Sequence, residues 1–72
     1  MAQLTTKQYD ALERAISDGT RIAVMRRGTE YIVIPERLRF GADGEAIEAR
    51  NPTTGDRLVL RVEELDSVEV VR

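Results

Sequence analysis

The chain has 72 residues, which is enough for one small domain but too few for a second hydrophobic core. Its 42% hydrophobic and 33% charged residues exclude the composition typical of disordered chains. Cysteine and histidine are absent, which excludes disulfides, thiolate catalysis and metal ligation by thiols or imidazoles, and the formal net charge of −2 excludes a bulk attraction to nucleic acid. We therefore expect one domain over residues 1–72.

A helix over residues 6–18 is the first predicted element. Thr5 and Gln8 have the spacing of a capping box, in which each side chain accepts a hydrogen bond from the other residue's backbone N–H. Leu4 and Tyr9 are spaced for the hydrophobic staple that often accompanies such a cap. Gly19 is a favourable residue just beyond the helix end. Between the start of the helix and Gly19, Leu12, Ala15 and Ile16 form an apolar stripe at helical spacing.

Five strands are predicted over about residues 21–71. Turns are expected at Gly28-Thr29, at "GADG" (41–44) and at "NPTTGD" (51–56), and "EELDS" has the length of one tight helical turn. Because no crossover helix separates any two strands, we expect an antiparallel sheet. Curling of this sheet into a small barrel would bury more of its apolar residues. The predicted fold class is mainly β (α+β), an N-terminal helix followed by a five-stranded antiparallel Sm-like or SH3-like β-barrel.

The second predicted strand contains a proline, in "IVIPERLRF" (32–40). Pro35 cannot donate a backbone hydrogen bond, so it predicts an edge or a bend in a strand that resumes at Arg37. Leu38 and Phe40 are expected to face the core, with Arg37 and Arg39 on the opposite face. Any half-buried strand shows this alternation, so by itself it does not distinguish a solvated outer surface from a binding surface.

Catalysis is not expected, because a hydrolase without histidine or cysteine needs a lysine-activated hydroxyl or paired carboxylates. Lys7 is the only lysine and falls in the first helical turn, while Glu63 and Glu64 are adjacent and should point apart. The chain also contains no glycine-rich phosphate loop and no calcium-loop pattern. We predict a protein that is not an enzyme, with no catalytic residues, no metal and no cofactor.

Arginine supplies ten of the eleven basic residues, and a guanidinium can make bidentate contacts with phosphate that an ammonium cannot. We expect Arg37, Arg39 and Arg61 to form one positive face with Arg26 near its rim. Tyr31 is the predicted aromatic platform beside it. The predicted function is a binding module for an anionic ligand or a short single-stranded nucleic acid.

The abundance of arginine also has two alternative interpretations. One is cross-strand pairing with acidic residues, namely Glu30, Glu45, Glu48 and Glu63, and the second is a coding bias toward arginine. The alternative function is a protein-interaction or assembly module, including a homo-oligomer, that acts through edge-strand pairing. The longest apolar stretches have four or five residues against the ~20 needed to cross a membrane, and the first ten residues lack a signal core. We expect a cytoplasmic protein with no membrane partner.

Four segments give the chain a resemblance to the WYL domain, a bacterial Sm-like barrel module usually attached to a DNA-binding winged helix. They are "ALERAISDGTRIAV", "PERLRF", "AIEARN" and "LRVEELDSVEVV". Where the WYL family has Trp-Tyr-Leu, this chain has Glu45, Ala46 and Ile47, and it has Glu64 in place of the ligand-binding arginine and Val24 in place of a frequent aromatic. The resemblance implies regulation of transcription or of defence systems through a bound small molecule or nucleic acid, without the usual pocket. Since the chain has no winged helix, the resemblance also implies that it needs a partner to act as a regulator.

Overall fold

One helix followed by five strands makes up the computed structural model, which describes residues 4–71. The elements are α1 (Thr6–Asp18), β1 (Ile22–Arg26), β2 (Thr29–Gly41), β3 (Gly44–Arg50), β4 (Arg57–Arg61), a 3₁₀ helix (Val62–Glu64) and β5 (Leu65–Val70). The domain is therefore mainly β, and the predicted number and order of elements are confirmed. Within this part of the chain no helix is long and apolar enough to span a membrane.

The helix has the predicted bounds and the predicted capping box. The backbone N–H of Thr5 donates to Gln8 Oε1 at 2.8 Å, and the N–H of Gln8 donates to Thr5 Oγ1 at 3.2 Å. Gly19 ends the helix in the left-handed conformation, with a φ of 69°. The buried side chains of Leu12 and Ala15 belong to the core, where α1 packs against β5 and β2.

The five strands form one antiparallel sheet in the order β4-β3-β2-β1-β5. Over residues 4–71 the sheet is open, because its two edge strands, β4 and β5, do not pair with each other. The predicted antiparallel sheet is confirmed. The structure does not show a closed barrel.

Strand β2 bends where the sequence predicts, and the bend divides the sheet into two halves. Residues 29–33 of β2 pair with β1, whereas residues 34–41 pair with β3. The register shifts between Pro35 and Arg37, so Glu36 is the extra residue of a β-bulge. Because Pro35 lies beyond the last residue paired with β1, its missing N–H does not interrupt that ladder.

Both halves of the sheet contribute to one core. The buried apolar residues of the strands are Ile22, Val24, Val33, Ile47, Ala49, Leu60, Leu65 and Val68. Leu38 is half-buried and packs against this cluster, as predicted. Phe40 does not, since its side chain is 73% exposed, and its predicted core position is wrong. It shares the inward face with Leu38 but lies two residues nearer the turn, where its cross-strand partner is Glu45 rather than an apolar residue.

Two of the turns differ slightly from the prediction. The β1–β2 turn is formed by Arg27 and Gly28, not by Gly28-Thr29, and both residues have positive φ angles, 51° and 81°. This is the pattern of a type I′ turn, which matches the twist of the flanking strands. The predicted helical turn before the last strand forms at Val62–Glu64, slightly earlier than "EELDS".

Candidate functional site

The outer side of β2, β3 and β4 carries a set of arginines. Ile47, Ala49 and Leu60 point into the core, so the residues that alternate with them point outward. We call this surface the arginine face and define it by its outward-pointing basic residues, which are Arg37, Arg39, Arg50, Arg57 and Arg61.

Cross-strand register arranges the arginine face in three rows, because β3 lies between β2 and β4. The rows are Ile34–Arg50–Arg57, Arg37–Glu48–Val59 and Arg39–Ala46–Arg61. Directly opposite residues are about 5 Å apart at Cα, so Arg39 and Arg61 are about 10 Å apart on either side of Ala46. The structure thus brings the predicted Arg37, Arg39 and Arg61 onto one surface.

A shallow depression of about 230 Å³ lies beside the row that contains Ala46. Gly41 and Gly44 are paired across the β2–β3 hairpin, and with Ala46 they leave this end of the face without large side chains. Arg39 and Arg61 line the depression, and Nη2 of Arg61 donates to the carbonyl oxygen of Asp43 at 3.0 Å. The depression is therefore lined by two arginine side chains.

Three arginines of the face form ion pairs. Arg39 Nη1 lies 2.9 Å from Glu48 Oε2, Arg50 Nε lies 3.1 Å from Glu36 Oε2, and Arg61 Nη2 lies 2.6 Å from Glu63 Oε1. These pairs are solvent-exposed, and such pairs contribute only about 0–1 kcal/mol to stability. Cross-strand pairing thus accounts for part of the arginine set.

The other two arginines, Arg37 and Arg57, form no salt bridge within residues 4–71. Arg57 lies directly opposite Arg50, and like charges at such positions are destabilising. The pKa of Glu48 is lowered, chiefly by the hydrogen bond from Arg39; burial opposes this shift, and the charges of Arg39, Arg37 and Arg57 add smaller lowering effects. The face therefore holds more positive charge than its carboxylates compensate.

The remaining predicted site residues lie elsewhere. Arg26 is opposite Thr29 at the β1–β2 turn and is not part of the three rows, so its expected position at the rim is wrong. Its guanidinium carbon lies 5.4 Å from the centre of the Tyr31 ring, a cation–π contact. Tyr31 is half-buried against the core on the inner side of the sheet. It therefore offers no open platform next to the arginine face.

Glu30 and Glu45 form no ion pair with an arginine in the described part of the chain. Glu45 Oε1 instead accepts a hydrogen bond from the hydroxyl of Tyr9 at 2.8 Å, which joins α1 to the start of β3. Burial raises the pKa of Tyr9, and the hydrogen bond to Glu45 and its negative charge raise it further. This contact lies on the inner side of the sheet, so its role is to hold the helix in place.

Sequence reasoning missed Arg50 and Arg57 as members of the face, and it named Glu48 only as one of four expected cross-strand partners of the arginines. The signal for the two arginines was available, because they flank the 51–56 turn symmetrically and must pair if that turn closes a hairpin. The central position of Glu48 required knowledge that β3 separates β2 from β4.

The face presents guanidinium groups, a side-chain type that can pair with carboxylate or phosphate anions. Guanidinium groups on three adjacent strands can contact several phosphate oxygens at once. Among residues 4–71 no group of three Asp or Glu side chains could hold a metal ion. No model of a known protein family matches the chain, and a search of curated proteins found no matching relative.

Proposed function

We propose that the domain is a binding module, not an enzyme, that holds an anionic ligand on the arginine face, with short single-stranded nucleic acid as the preferred form. The observation that carries the proposal is the excess of uncompensated positive charge on three adjacent strands. Arg57 is exposed, is unpaired within the described residues and lies directly opposite Arg50, so the two guanidinium groups repel each other. A bound anion would remove this repulsion.

The shape of the surface supports an extended ligand rather than an enclosed small molecule. Along each strand the outward residues repeat about every 7 Å, and across the sheet Arg39 and Arg61 are about 10 Å apart. The depression between these two arginines is open, whereas small-molecule pockets bury most of their ligand. A backbone of repeated phosphates can cross such a surface and contact several arginines in turn.

A salt-dependent titration tests the proposal. We expect a fluorescently labelled single-stranded thymidine octamer to bind with an affinity that falls as salt is raised, by roughly one unit of log–log slope for each phosphate-contacting arginine. The double variant Arg37→Glu/Arg39→Glu should abolish binding. The matched control is Arg14→Glu/Arg21→Glu, which makes the same change in charge at exposed positions outside the face and should retain most of the affinity. Equal losses in both double variants would contradict a site on the arginine face.

For the fold, we propose a small Sm-like or SH3-like barrel related to the WYL domain. Such a domain would act in regulation together with a partner. The strand order, the bulged β2 shared by two half-sheets and the one-turn helix before β5 support it. Of the residues that replace Trp-Tyr-Leu, Ile47 is buried and Ala46 lies in the middle of an arginine row. This favours a ligand surface different from the usual pocket of WYL domains.

A second candidate function is assembly through the open sheet edges. Strands β4 and β5 each have one side that pairs with no other strand of the described chain, and such edges can accept a strand from another molecule. Sedimentation over a range of concentrations measures this directly. Association that persists at high salt and in Arg37→Glu/Arg39→Glu would support assembly, and a constant monomer mass would contradict it.

A further inference from the structure

Glu48 is the carboxylate at the centre of the arginine face. It lies on the middle strand β3, between Arg37 on β2 and Val59 on β4. Its Oε2 accepts a hydrogen bond from Nη1 of Arg39 at 2.9 Å, which belongs to the neighbouring row. No other carboxylate of the described chain has direct cross-strand partners on both sides within this face.

We propose that Glu48 is an internal competitor for the anion site, a carboxylate that holds Arg39 until a ligand phosphate displaces it. This inference rests on the proposed function, because it assigns a regulating residue to the same face. Glu48 determines which ligands bind, since only an anion that contacts the arginines better than one carboxylate oxygen does can replace it.

The contact between Arg39 and Glu48 is suited to exchange. It is formed through a single guanidinium nitrogen, and the side chains are 55% and 31% exposed. An exposed pair of this kind is weak, whereas a phosphate can accept two parallel hydrogen bonds from one guanidinium. The charges of Arg37 and Arg57 also act on Glu48, so the carboxylate lies within reach of three arginines of the face.

Glu36 differs from Glu48 in position although it also pairs with an arginine. It is the extra residue of the bulge, and its partner Arg50 also donates to the carbonyl oxygen of Gly55 at 2.9 Å. Glu36 therefore has no position in the three rows and does not line the depression beside Ala46. It is the matched control for Glu48, because the same Gln substitution removes the same charge from an arginine pair.

The experiment compares the affinity of the labelled thymidine octamer for the wild type, Glu48→Gln, Glu48→Ala and Glu36→Gln at low salt. Both Glu48 variants should bind roughly 3- to 10-fold more tightly than the wild type, since they remove a competing exposed charge. Glu36→Gln should change affinity by less than about 2-fold. Circular dichroism should be the same for all four proteins.

The outcomes separate this inference from the proposed function. Binding by the wild type with an equal or smaller affinity in the Glu48 variants overturns the competitor and leaves the binding function intact. An equal gain in Glu36→Gln also overturns it, because the effect would then be one of overall charge. Binding by the Glu48 variants alone supports a competitor strong enough to block the wild-type site. No binding by any of the four overturns both the competitor and the proposed function.

Discussion

The outer surface of the sheet changes character at the bend in β2. On the side of β5 and β1, the outward residues include Ala23, Met25, Ile32 and Glu69, with Glu30 beside the turn. On the side of β3 and β4, the arginine face takes their place. The same strand therefore carries an apolar and acidic surface before the bulge and a basic one after it.

This difference shows that an outward position on this sheet does not in itself require an arginine. Both half-sheets contribute inward apolar residues to the same core, and both have an outer surface that packing leaves free. In the half built on β1 and β5, apolar and acidic residues occupy these outward positions.

The largest expected effect tests whether the two halves are one cooperative unit. Ile22 on β1 and Ile47 on β3 are both fully buried, one in each half. Replacing either by alanine should lower the free energy of unfolding by about 2–5 kcal/mol, because a methyl-lined cavity remains in a shared core. Urea unfolding followed by circular dichroism should show a single transition in both variants.

An outer-surface control makes that comparison sharper. Val59 is 57% exposed on the arginine face, and Val59→Ala should change stability by less than about 0.5 kcal/mol. Two separate transitions in Ile47→Ala would show that the half-sheets unfold independently. The contrast between the faces would then be a contrast between two subdomains.

The second expected effect concerns the turn in the half that lacks the arginine face. Gly28→Val should cost about 1–2 kcal/mol, because a β-branched residue is strained at a φ of 81°. Arg27→Asn should raise stability by about 0.5–1 kcal/mol, because asparagine tolerates the left-handed conformation that Arg27 adopts. Thermal unfolding measures both changes.

The equivalent hairpin in the other half provides the control. Ala42 occupies the β2–β3 turn but has no positive φ, so Ala42→Asn should bring no such gain. Equal stabilisation at both positions would mean that the gain at Arg27 does not come from backbone strain.

The parts of the fold that the sequence predicted well are those set by local chemistry. The capping pair Thr5 and Gln8 and the terminal Gly19 determine the ends of the helix within the chain itself, and both ends are correct. Pro35 likewise marks the bend because its backbone lacks a donor. The turn at Arg27 was misplaced by one residue, because arginine seldom adopts a positive φ.

The less predictable parts depend on strand order and on where the core ends. Alternation gave the correct side for Phe40 but could not show that β2 extends beyond the buried cluster. Arg39 and Arg61 were expected to share a face. Their positions on either side of Ala46 were not expected, because the sequence does not show that β3 lies between β2 and β4. Arg26 was expected near the rim of that face, because the sequence does not reveal that its side chain lies over the ring of Tyr31.

The third expected effect is a loss of stability at alkaline pH. The pKa of Tyr9 is raised above its ordinary value of 10.0, so the folded state favours the protonated phenol. This stabilisation is complete below pH 10 and is lost as the pH rises through the folded-state pKa. Tyr9→Phe should cost about 0.5–1.5 kcal/mol at pH 7 and should lose less stability than the wild type between pH 9 and about pH 11.

Tyr31→Phe is the control for this effect, because its hydroxyl has no hydrogen-bond partner among residues 4–71. Urea midpoints measured over the alkaline range distinguish the two variants. If Tyr9→Phe is as sensitive to alkali as the wild type, the contact between α1 and β3 does not control this loss.

The smallest expected effect returns to the arginine face and is seen at acid pH. The pKa of Glu48 lies below its ordinary value of 4.5, chiefly because Arg39 donates a hydrogen bond to the carboxylate. A lowered pKa stabilises the folded state above the ordinary value, and this contribution disappears as the pH falls through the folded-state pKa. Arg39→Gln should therefore reduce the loss of stability between pH 6 and pH 3. Arg37→Gln should retain most of this loss, because Arg37 acts on Glu48 through its charge alone.

Since the Arg39–Glu48 pair is exposed, urea midpoints should be compared at low ionic strength, where the difference between the variants is least screened. Identical acid profiles for the wild type and Arg39→Gln would show that the Arg39–Glu48 pair is too weak in solution to hold Arg39, and Glu48 would then have no hold on the site from which to compete.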